Sequence, residues 1–171
     1  MAIKIQENVP LAPLTTFNIG GPTRYFAELS SEQEIKDAVS LARERDVPLV
    51  ILAGGSNVLV PDEGLNALVA IIAIKGYKLN GDLLEAGSGC NLLSLIKYTA
   101  SIGLGGWEKL AGIPGTIGGA VRGNAGAFGT EIKDFPVKVR ALNSESLEFK
   151  EFRNADCDFS YRHSFFKDNP E

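Results

Sequence analysis

The sequence LAGIPGTIGGA at residues 110–120, followed by NAGAFG at residues 124–129, is the strongest structural signal in this chain. Gly112 and Gly115 bracket Pro114, which the pattern predicts at the first position of a short helix. A helix that starts there would offer free amide hydrogens and the positive end of its dipole to a diphosphate. We therefore expect this stretch to bind a phosphorylated ligand through its backbone.

Three small residues lie close together in the same stretch: Gly118, Gly119 and Ala120. Because these residues lack bulk, a flat ring or a second backbone could lie against them. A close contact between a helix and a sheet would require the same small residues, so packing stays open as an alternative.

A second glycine-rich segment, LAGGSN at residues 52–57, directly follows a predicted strand. Its two adjacent glycines let the backbone turn with positive φ and approach a ligand closely. Successive amide groups in such a turn form a concave site for an anion, and Ser56 and Asn57 add hydrogen-bond donors. A plain tight turn after a strand is the alternative interpretation.

Neither segment matches the common nucleotide-binding signatures. The GxGxxG pattern with a following acidic residue is absent, and so is the GxxxxGK[ST] pattern of P-loop proteins. No lysine lies inside either segment. Two separated glycine-rich turns of this kind predict a long diphosphate ligand that backbone amides bind.

Residues 1–76 predict a small α/β subdomain. A capping-box pattern at residues 31–34 opens a helix, and Pro48 marks its end. The predicted strands are residues 24–29, 49–52 and 65–74, and we expect the second of them to be buried.

Residues 77–171 predict a second subdomain with an α+β arrangement. Asn80-Gly81 indicates a β-hairpin, and Asn91 is placed to cap a helix that Gly103 ends. A further hairpin is predicted from residues 137–142 and 147–152. We place the boundary between the two subdomains near residues 75–78.

Composition excludes several classes of function. The 171-residue chain has a net charge of −4 and a pI near 5.1, which argue against binding nucleic acid or an anionic membrane. No secretory signal is visible, and the longest apolar run, residues 65–74, is too short to span a bilayer. Cys90 and Cys157 have no CxxC spacing, so we expect reduced thiols, a cytoplasmic location and no metal site.

Four segments together resemble the N-terminal part of the UDP-N-acetylenolpyruvoylglucosamine reductase family. They occur in the family's order and are residues 8–11 with 15–22, residues 54–60, residues 111–120 with 124–126, and residues 159–167. Ala53 departs from the pattern, because the family usually has glycine there, and Phe128 replaces a frequent tyrosine. The change at Ala53 could alter how the first glycine turn closes.

The resemblance implies an α+β, two-subdomain FAD-binding fold of the vanillyl-alcohol-oxidase type. It implies FAD held noncovalently, with the diphosphate on the first glycine turn and the flavin ring near the second. The lone histidine, His163, is then an ordinary polar residue, and Trp107 packs in the core. The implied cofactor-binding residues are Ala53, Gly54, Gly55, Ser56, Asn57, Pro114, Gly115, Thr116, Gly118, Gly119, Ala120, Asn124, Ala125 and Gly126.

The reaction implied by the resemblance has two halves. NADPH delivers hydride to FAD, and the reduced flavin delivers it to the enolpyruvyl ether of a UDP-sugar, which forms UDP-N-acetylmuramate for peptidoglycan. By its place in the fourth segment, Arg162 matches the family's catalytic arginine. A guanidinium suits two-point contact with a carboxylate, and a surface salt bridge is the alternative. Tyr161 and Lys167 are candidate substrate-binding residues that could instead be structural.

The family's proton-donating serine and its assisting glutamate belong to a later domain. Ser164 does not replace that serine, because it belongs to the arginine motif itself. On these grounds we expect a fragment, a truncated protein or a divergent short protein that is inactive by itself. A catalytically silent FAD-binding module and a flavin oxidase of the same fold remain alternative functions.

Overall fold

The computed structural model describes residues 3–169 and divides into two compact units, Met1–Lys75 and Gly76–Glu171. The sequence placed the boundary one residue later, after residue 76. That each unit serves as a subdomain for FAD stays a prediction.

The first unit is built on a four-stranded sheet with one helix. Its strands are β1 (Gln6–Pro10), β2 (Pro22–Leu29), β3 (Leu49–Leu52) and β4 (Leu65–Ile72), and helix α1 (Glu32–Glu44) follows β2. The strand order is β1-β2-β4-β3, in which β2, β4 and β3 run parallel and β1 is antiparallel. The predicted strands and helix of this unit are all present.

Helix α1 begins where the capping pattern predicts. The Ser31 side chain accepts the Glu34 N–H at 3.2 Å, as an N-cap residue should. The Glu34 carboxylate reaches the N–H and hydroxyl of Ser30 at 2.6 and 2.8 Å, and the Ser30 N–H bond lowers the Glu34 pKa most. The buried face of the helix is Ala38, Val39 and Ala42.

Strand β3 is less buried than the sequence predicts. Val50 and Ile51 are exposed, and of the four β3 residues Leu52 is the buried one. The reason is position: β3 lies at an edge of the sheet, whereas β4 lies between β2 and β3 and is buried at residues 67–70. An apolar run alone does not distinguish an edge strand from a central one.

The second unit combines short hairpins with small helices. In chain order its elements are β5 (Tyr77–Asn80), β6 (Leu83–Ala86), α2 (Leu92–Ser101), α3 (Ile117–Arg122), β7 (Gly126–Ala127), β8 (Thr130–Glu131), β9 (Lys138–Asn143), β10 (Glu148–Arg153) and α4 (Phe165–Asp168). The three strand pairs β5–β6, β7–β8 and β9–β10 are antiparallel. The α+β arrangement predicted for this part is confirmed.

The first hairpin turns one residue later than an Asn-Gly turn would. Asn80 pairs with Leu83, so the two-residue loop is Gly81-Asp82. Gly81 has φ of 59° and occupies the first central position, where a turn of this length favours glycine.

Helix α2 provides much of the core of the second unit. Asn91 caps it by accepting the Ser94 N–H at 2.9 Å. Trp107 packs against the same core and donates its ring N–H to the Thr99 hydroxyl at 2.8 Å, which agrees with a packing role. The buried members of this core are Leu92, Ile96, Leu110, Ala120 and Ile132.

Both cysteines are free and buried. Over residues 3–169, none of the helices has the length and hydrophobicity needed to cross a bilayer.

Candidate functional site

The first glycine turn is shaped in part by close packing within the first unit. Gly55 has φ of 63°, and its carbonyl accepts the Thr16 N–H at 3.0 Å. A Cβ at this position would lie 2.8 Å from the Thr15 Cα and closer still to the Leu14 carbonyl oxygen. The nearby backbone of Leu14 and Thr15 therefore requires glycine at residue 55, whether or not a ligand binds.

The same turn also presents unused donors. No acceptor among residues 3–169 receives a hydrogen bond from the backbone N–H of Gly54, Gly55 or Asn57. Gly54 and Asn57 are exposed, Ala53 and Ser56 are partly exposed, and Gly55 is buried. Adjacent N–H groups without protein partners fit an anion such as a diphosphate.

The second glycine-rich stretch starts its helix later than the sequence predicts. Helix α3 begins at Ile117, with Thr116 as the N-cap residue, so the expectation that Pro114 occupies the first helical position is wrong. The Thr116 hydroxyl accepts the Gly119 N–H at 3.3 Å. A side-chain cap directly before Ile117 therefore determines where this helix begins.

The first amides of α3 are used by the protein itself. The Ile117 N–H donates to the Cys90 carbonyl and the Gly118 N–H to the Ser88 carbonyl, both at 2.9 Å. A Cβ on Gly118 would lie 2.8 Å from the Ser88 Cβ, so this glycine permits the close approach of residue 88. The start of α3 does not offer the free donors that we expected for a diphosphate.

The remaining small residues of this stretch have different environments. Gly115 has φ of 125°, a conformation that side chains rarely adopt, whereas the space around Gly112 is open. Ala120 and Ala125 pack in or against the core of the second unit, and the Ala125 N–H donates to the Ala120 carbonyl at 2.9 Å. A cofactor contact at these positions stays a prediction.

An open pocket of about 380 Å³ lies in the second unit. Its lining residues are Asn124, Gly126, Ala127, Phe128, Gly129, Thr130, Glu131, Tyr161 and Arg162. The pocket therefore brings the predicted catalytic arginine and Tyr161 together with Asn124 and Gly126. Pro114, Gly115, Thr116, Gly118, Gly119, Ala120 and Lys167 do not line it.

Arg162 is carried by a tight turn. Ser160 and His163 exchange backbone hydrogen bonds of 3.2 and 3.1 Å, and Arg162 between them has φ of 56°. The Lys167 ammonium donates to the Arg162 carbonyl oxygen at 3.0 Å. Lys167 thus contacts the backbone of the turn, and the Arg162 guanidinium lies 5.6 Å from the centre of the Tyr161 ring.

Glu131 is a pocket residue that the sequence reasoning missed. Its carboxylate accepts hydrogen bonds from Lys133 Nζ and Asn124 Nδ2, each at 2.8 Å. These two bonds, and then the charges of Lys133 and Arg162, hold the Glu131 pKa below its usual range. Nothing in the sequence around Glu131 distinguishes a glutamate that lines a pocket from one on the open surface.

Comparisons with known proteins place the chain in a class. The FAD binding domain family matches residues 23–146, so the chain belongs to the FAD-binding domain family. The 6-hydroxy-D-nicotine oxidase of Arthrobacter nicotinovorans superimposes with a TM-score of 0.62 at 16% identity, covering 78% of this chain and 31% of that chain. At this identity it shows the fold alone, and with the family match it confirms the predicted α+β FAD-binding fold of the vanillyl-alcohol-oxidase type.

More specific similarity is to one group of reductases. The UDP-N-acetylenolpyruvoylglucosamine reductase of Streptomyces coelicolor is 40% identical over 169 residues, which is 98% of this chain and 44% of that protein. The structure of the corresponding reductase from Thermus caldophilus superimposes with a TM-score of 0.75 at 30% identity, covering 95% of this chain and 56% of that chain. The resemblance drawn from the motifs is confirmed. The chain spans about half the length of the curated relatives it matches.

Proposed function

We propose that this chain is the FAD-binding part of an NADPH-dependent reductase that converts the enolpyruvyl ether of UDP-N-acetylglucosamine to UDP-N-acetylmuramate. Such an enzyme would serve peptidoglycan precursor synthesis in the cytoplasm. The observation that carries the proposal is the pocket in which Arg162 and Tyr161 meet the second glycine-rich stretch at Asn124 and Gly126. Membership of the FAD-binding domain family and the similarity to reductases of this name support it.

The backbone donors of the first glycine turn would hold the diphosphate of FAD. Gly54 and Asn57 are exposed, and their N–H groups have no protein acceptor among the described residues, so both can donate to the ligand. Bound FAD supplies the capacity to carry a hydride. Because His163 lies in the arginine turn and no other histidine exists in the chain, we propose that FAD is held noncovalently.

Arg162 would bind the carboxylate of the enolpyruvyl group. Its guanidinium can donate two parallel hydrogen bonds to a carboxylate and stabilise the negative charge that develops there during reduction. Tyr161 is 79% exposed beside the same pocket, so its hydroxyl is available to a ligand. Lys167 would act through the Arg162 carbonyl that it contacts, rather than through the substrate.

Flavin binding is the first test. The chain should bind FAD on reconstitution, and acid precipitation should release the flavin into the supernatant. Flavin that remains with the precipitated protein would contradict noncovalent binding, and a titration without binding would contradict the cofactor assignment.

The second test separates cofactor binding from chemistry at Arg162. In a full-length reductase that contains this chain, Arg162→Ala should leave FAD binding and flavin reduction by NADPH nearly intact. Reoxidation of the flavin by the enolpyruvyl substrate should slow by roughly 10²–10³-fold, as when one preorganised charge-stabilising donor is removed. Arg162→Lys should recover little, because an ammonium cannot make the two-point contact.

Stopped-flow absorbance of the flavin measures both half-reactions. An unchanged rate of substrate-dependent reoxidation in Arg162→Ala would remove Arg162 from the active site. Rapid reoxidation by oxygen with no dependence on the enolpyruvyl substrate would favour an oxidase, and the absence of any turnover would favour a silent binding module.

A further inference from the structure

The Asn124 side chain is fully engaged although the residue lines the pocket. It is 1% exposed. Its Nδ2 group donates to the Glu131 carboxylate at 2.8 Å and to the Ser160 carbonyl at 2.7 Å, and its Oδ1 atom accepts the Lys133 N–H at 3.0 Å. An amide has two N–H hydrogens, so both donors are used by the protein. A ligand in the pocket cannot receive a hydrogen bond from this amide in the observed arrangement.

The partners of Asn124 belong to separate segments around the Arg162 pocket. Ser160 is the first residue of the turn that carries Arg162. Glu131 lines the same pocket as Arg162. One buried amide therefore joins the second glycine-rich stretch to the arginine turn and to the β7–β8 hairpin.

The arginine turn needs such support. The φ of 56° at Arg162 lies in the left-handed region, which is unfavourable for a residue with a Cβ. Such a conformation persists where surrounding interactions determine it. The Asn124 bond to Ser160 holds the start of the turn, and the Lys167 bond holds the Arg162 carbonyl.

Asn124 also fixes a charge near Arg162. Its second N–H and the Lys133 ammonium orient the Glu131 carboxylate. Attraction to Arg162 contributes, after these hydrogen bonds, to the lowered pKa of Glu131. The location of the carboxylate relative to the guanidinium therefore depends on the Asn124 amide.

We propose that Asn124 is a positioning residue for Arg162, which fixes the arginine turn through Ser160 and the neighbouring carboxylate through Glu131. The sequence pattern suggested Asn124 as a cofactor-binding residue, whereas the structure assigns its side chain to holding the arginine. That the positioned arginine acts on a substrate carboxylate rests on the proposed function. The positioning itself does not.

The first experiment uses Asn124→Asp and the single histidine of the chain. Aspartate has the same shape and still accepts the Lys133 N–H, but it places oxygen atoms against Ser160 and Glu131 where the amide donated. The imidazole NMR signals of His163, which closes the arginine turn, should shift. Asn154→Asp is a matched control, because Asn154 also donates to two carbonyls, those of Lys133 and Pro136, at 2.7 and 2.8 Å. Unmoved His163 signals in Asn124→Asp, or equal shifts in the control, would overturn the proposal.

The second experiment measures electrostatic coupling with a readout that a purely structural residue would not change. The pKa of Glu131 is followed by carbon NMR with and without Arg162→Gln, which should raise it by removing a positive charge. In Asn124→Ala this response should shrink, since the carboxylate and the turn are no longer held together. An equal response in the two backgrounds would show that Asn124 does not position the pair.

Two variants of Glu131 test the same proposal if the Asn124 variants do not fold. Glu131→Gln keeps an acceptor for the Asn124 N–H, whereas Glu131→Leu removes it. The His163 signals should move more in Glu131→Leu than in Glu131→Gln, and equal signals in the two would contradict the proposal. These NMR measurements require neither FAD nor substrate, so a chain without reductase activity would refute the proposed function and leave this inference intact.

Where turnover is measurable, the kinetic expectation is specific. Asn124→Asp should slow reoxidation by the enolpyruvyl substrate by up to about 10²-fold, the scale of a 1 Å misplacement of a reacting group, with flavin reduction by NADPH unchanged. Equal loss in both half-reactions would indicate a general structural defect and count against positioning.

Discussion

A methyl group added at Gly55 should destabilise the folded chain by about 2–5 kcal/mol. The left-handed φ of 63° contributes about 1–2 kcal/mol of this, because the new Cβ crowds its own backbone. The Cβ would also lie 2.8 Å from the Thr15 Cα and closer to the Leu14 carbonyl. Relief of such overlap by backbone shifts typically costs about 1–3 kcal/mol more.

Gly81→Ala isolates the contribution of the backbone conformation. Gly81 has nearly the same φ, 59°, but nothing lies within 4 Å of the position that its Cβ would take. Its replacement should therefore cost about 1–2 kcal/mol, from the backbone conformation alone. Urea unfolding of the FAD-free chains by circular dichroism, with amide hydrogen exchange to separate the two units, gives the free energies of unfolding. If Gly55→Ala is no more destabilising than Gly81→Ala, the close packing of the first glycine turn is refuted.

Two further predictions concern ionisable groups. Hydrogen bonds from Lys133 and Asn124 lower the pKa of Glu131 in the folded chain. Ionised Glu131 therefore stabilises the fold at pH values above the ordinary glutamate pKa of about 4.3. This contribution disappears as the pH falls through the pKa that Glu131 has in the folded chain. The difference in unfolding free energy between the parent and Glu131→Gln should then shrink from pH 7 to pH 3, and a pH-independent difference would contradict the prediction. Cys90 and Cys157 are buried, and burial raises the pKa of the Cys157 thiol. A thiol reagent at pH 8 should therefore label both cysteines in urea and neither in the native chain. Prompt labelling of the native chain would disagree with the structure.

Local sequence signals predicted much of the fold, because they act over a few residues. Ser31 and Asn91 each cap the helix that follows, as their side-chain oxygens and spacing indicated. Pro114 led to a wrong prediction, although it too is a local signal. Its fixed φ suits the start of a helix, but Thr116 two residues later supplies a side-chain acceptor, and α3 begins after Thr116.

Features that depend on distant parts of the chain were not accessible from the sequence. The exposure of Val50 and Ile51 follows from the edge position of β3, which only the strand order reveals. The partner of Asn124 at Ser160 lies 36 residues away, so no local pattern distinguishes an amide that binds a ligand from one that binds a carbonyl. The same holds for the glycines. Gly118 is required because Ser88 lies close to it, whereas the space around Gly112 is open, and no local pattern distinguishes the two.

The sheet of the first unit has a consequence for synthesis on the ribosome. All four of its strands lie within residues 6–72, but β4 pairs with both β2 and β3, so the sheet is incomplete until Ile72 has been translated and has left the exit tunnel. The strand pairings of this sheet involve no residue after Ile72 among the described residues. The sheet can therefore begin to form once Ile72 has left the tunnel, without waiting for the Asn124 and Arg162 segments to be complete.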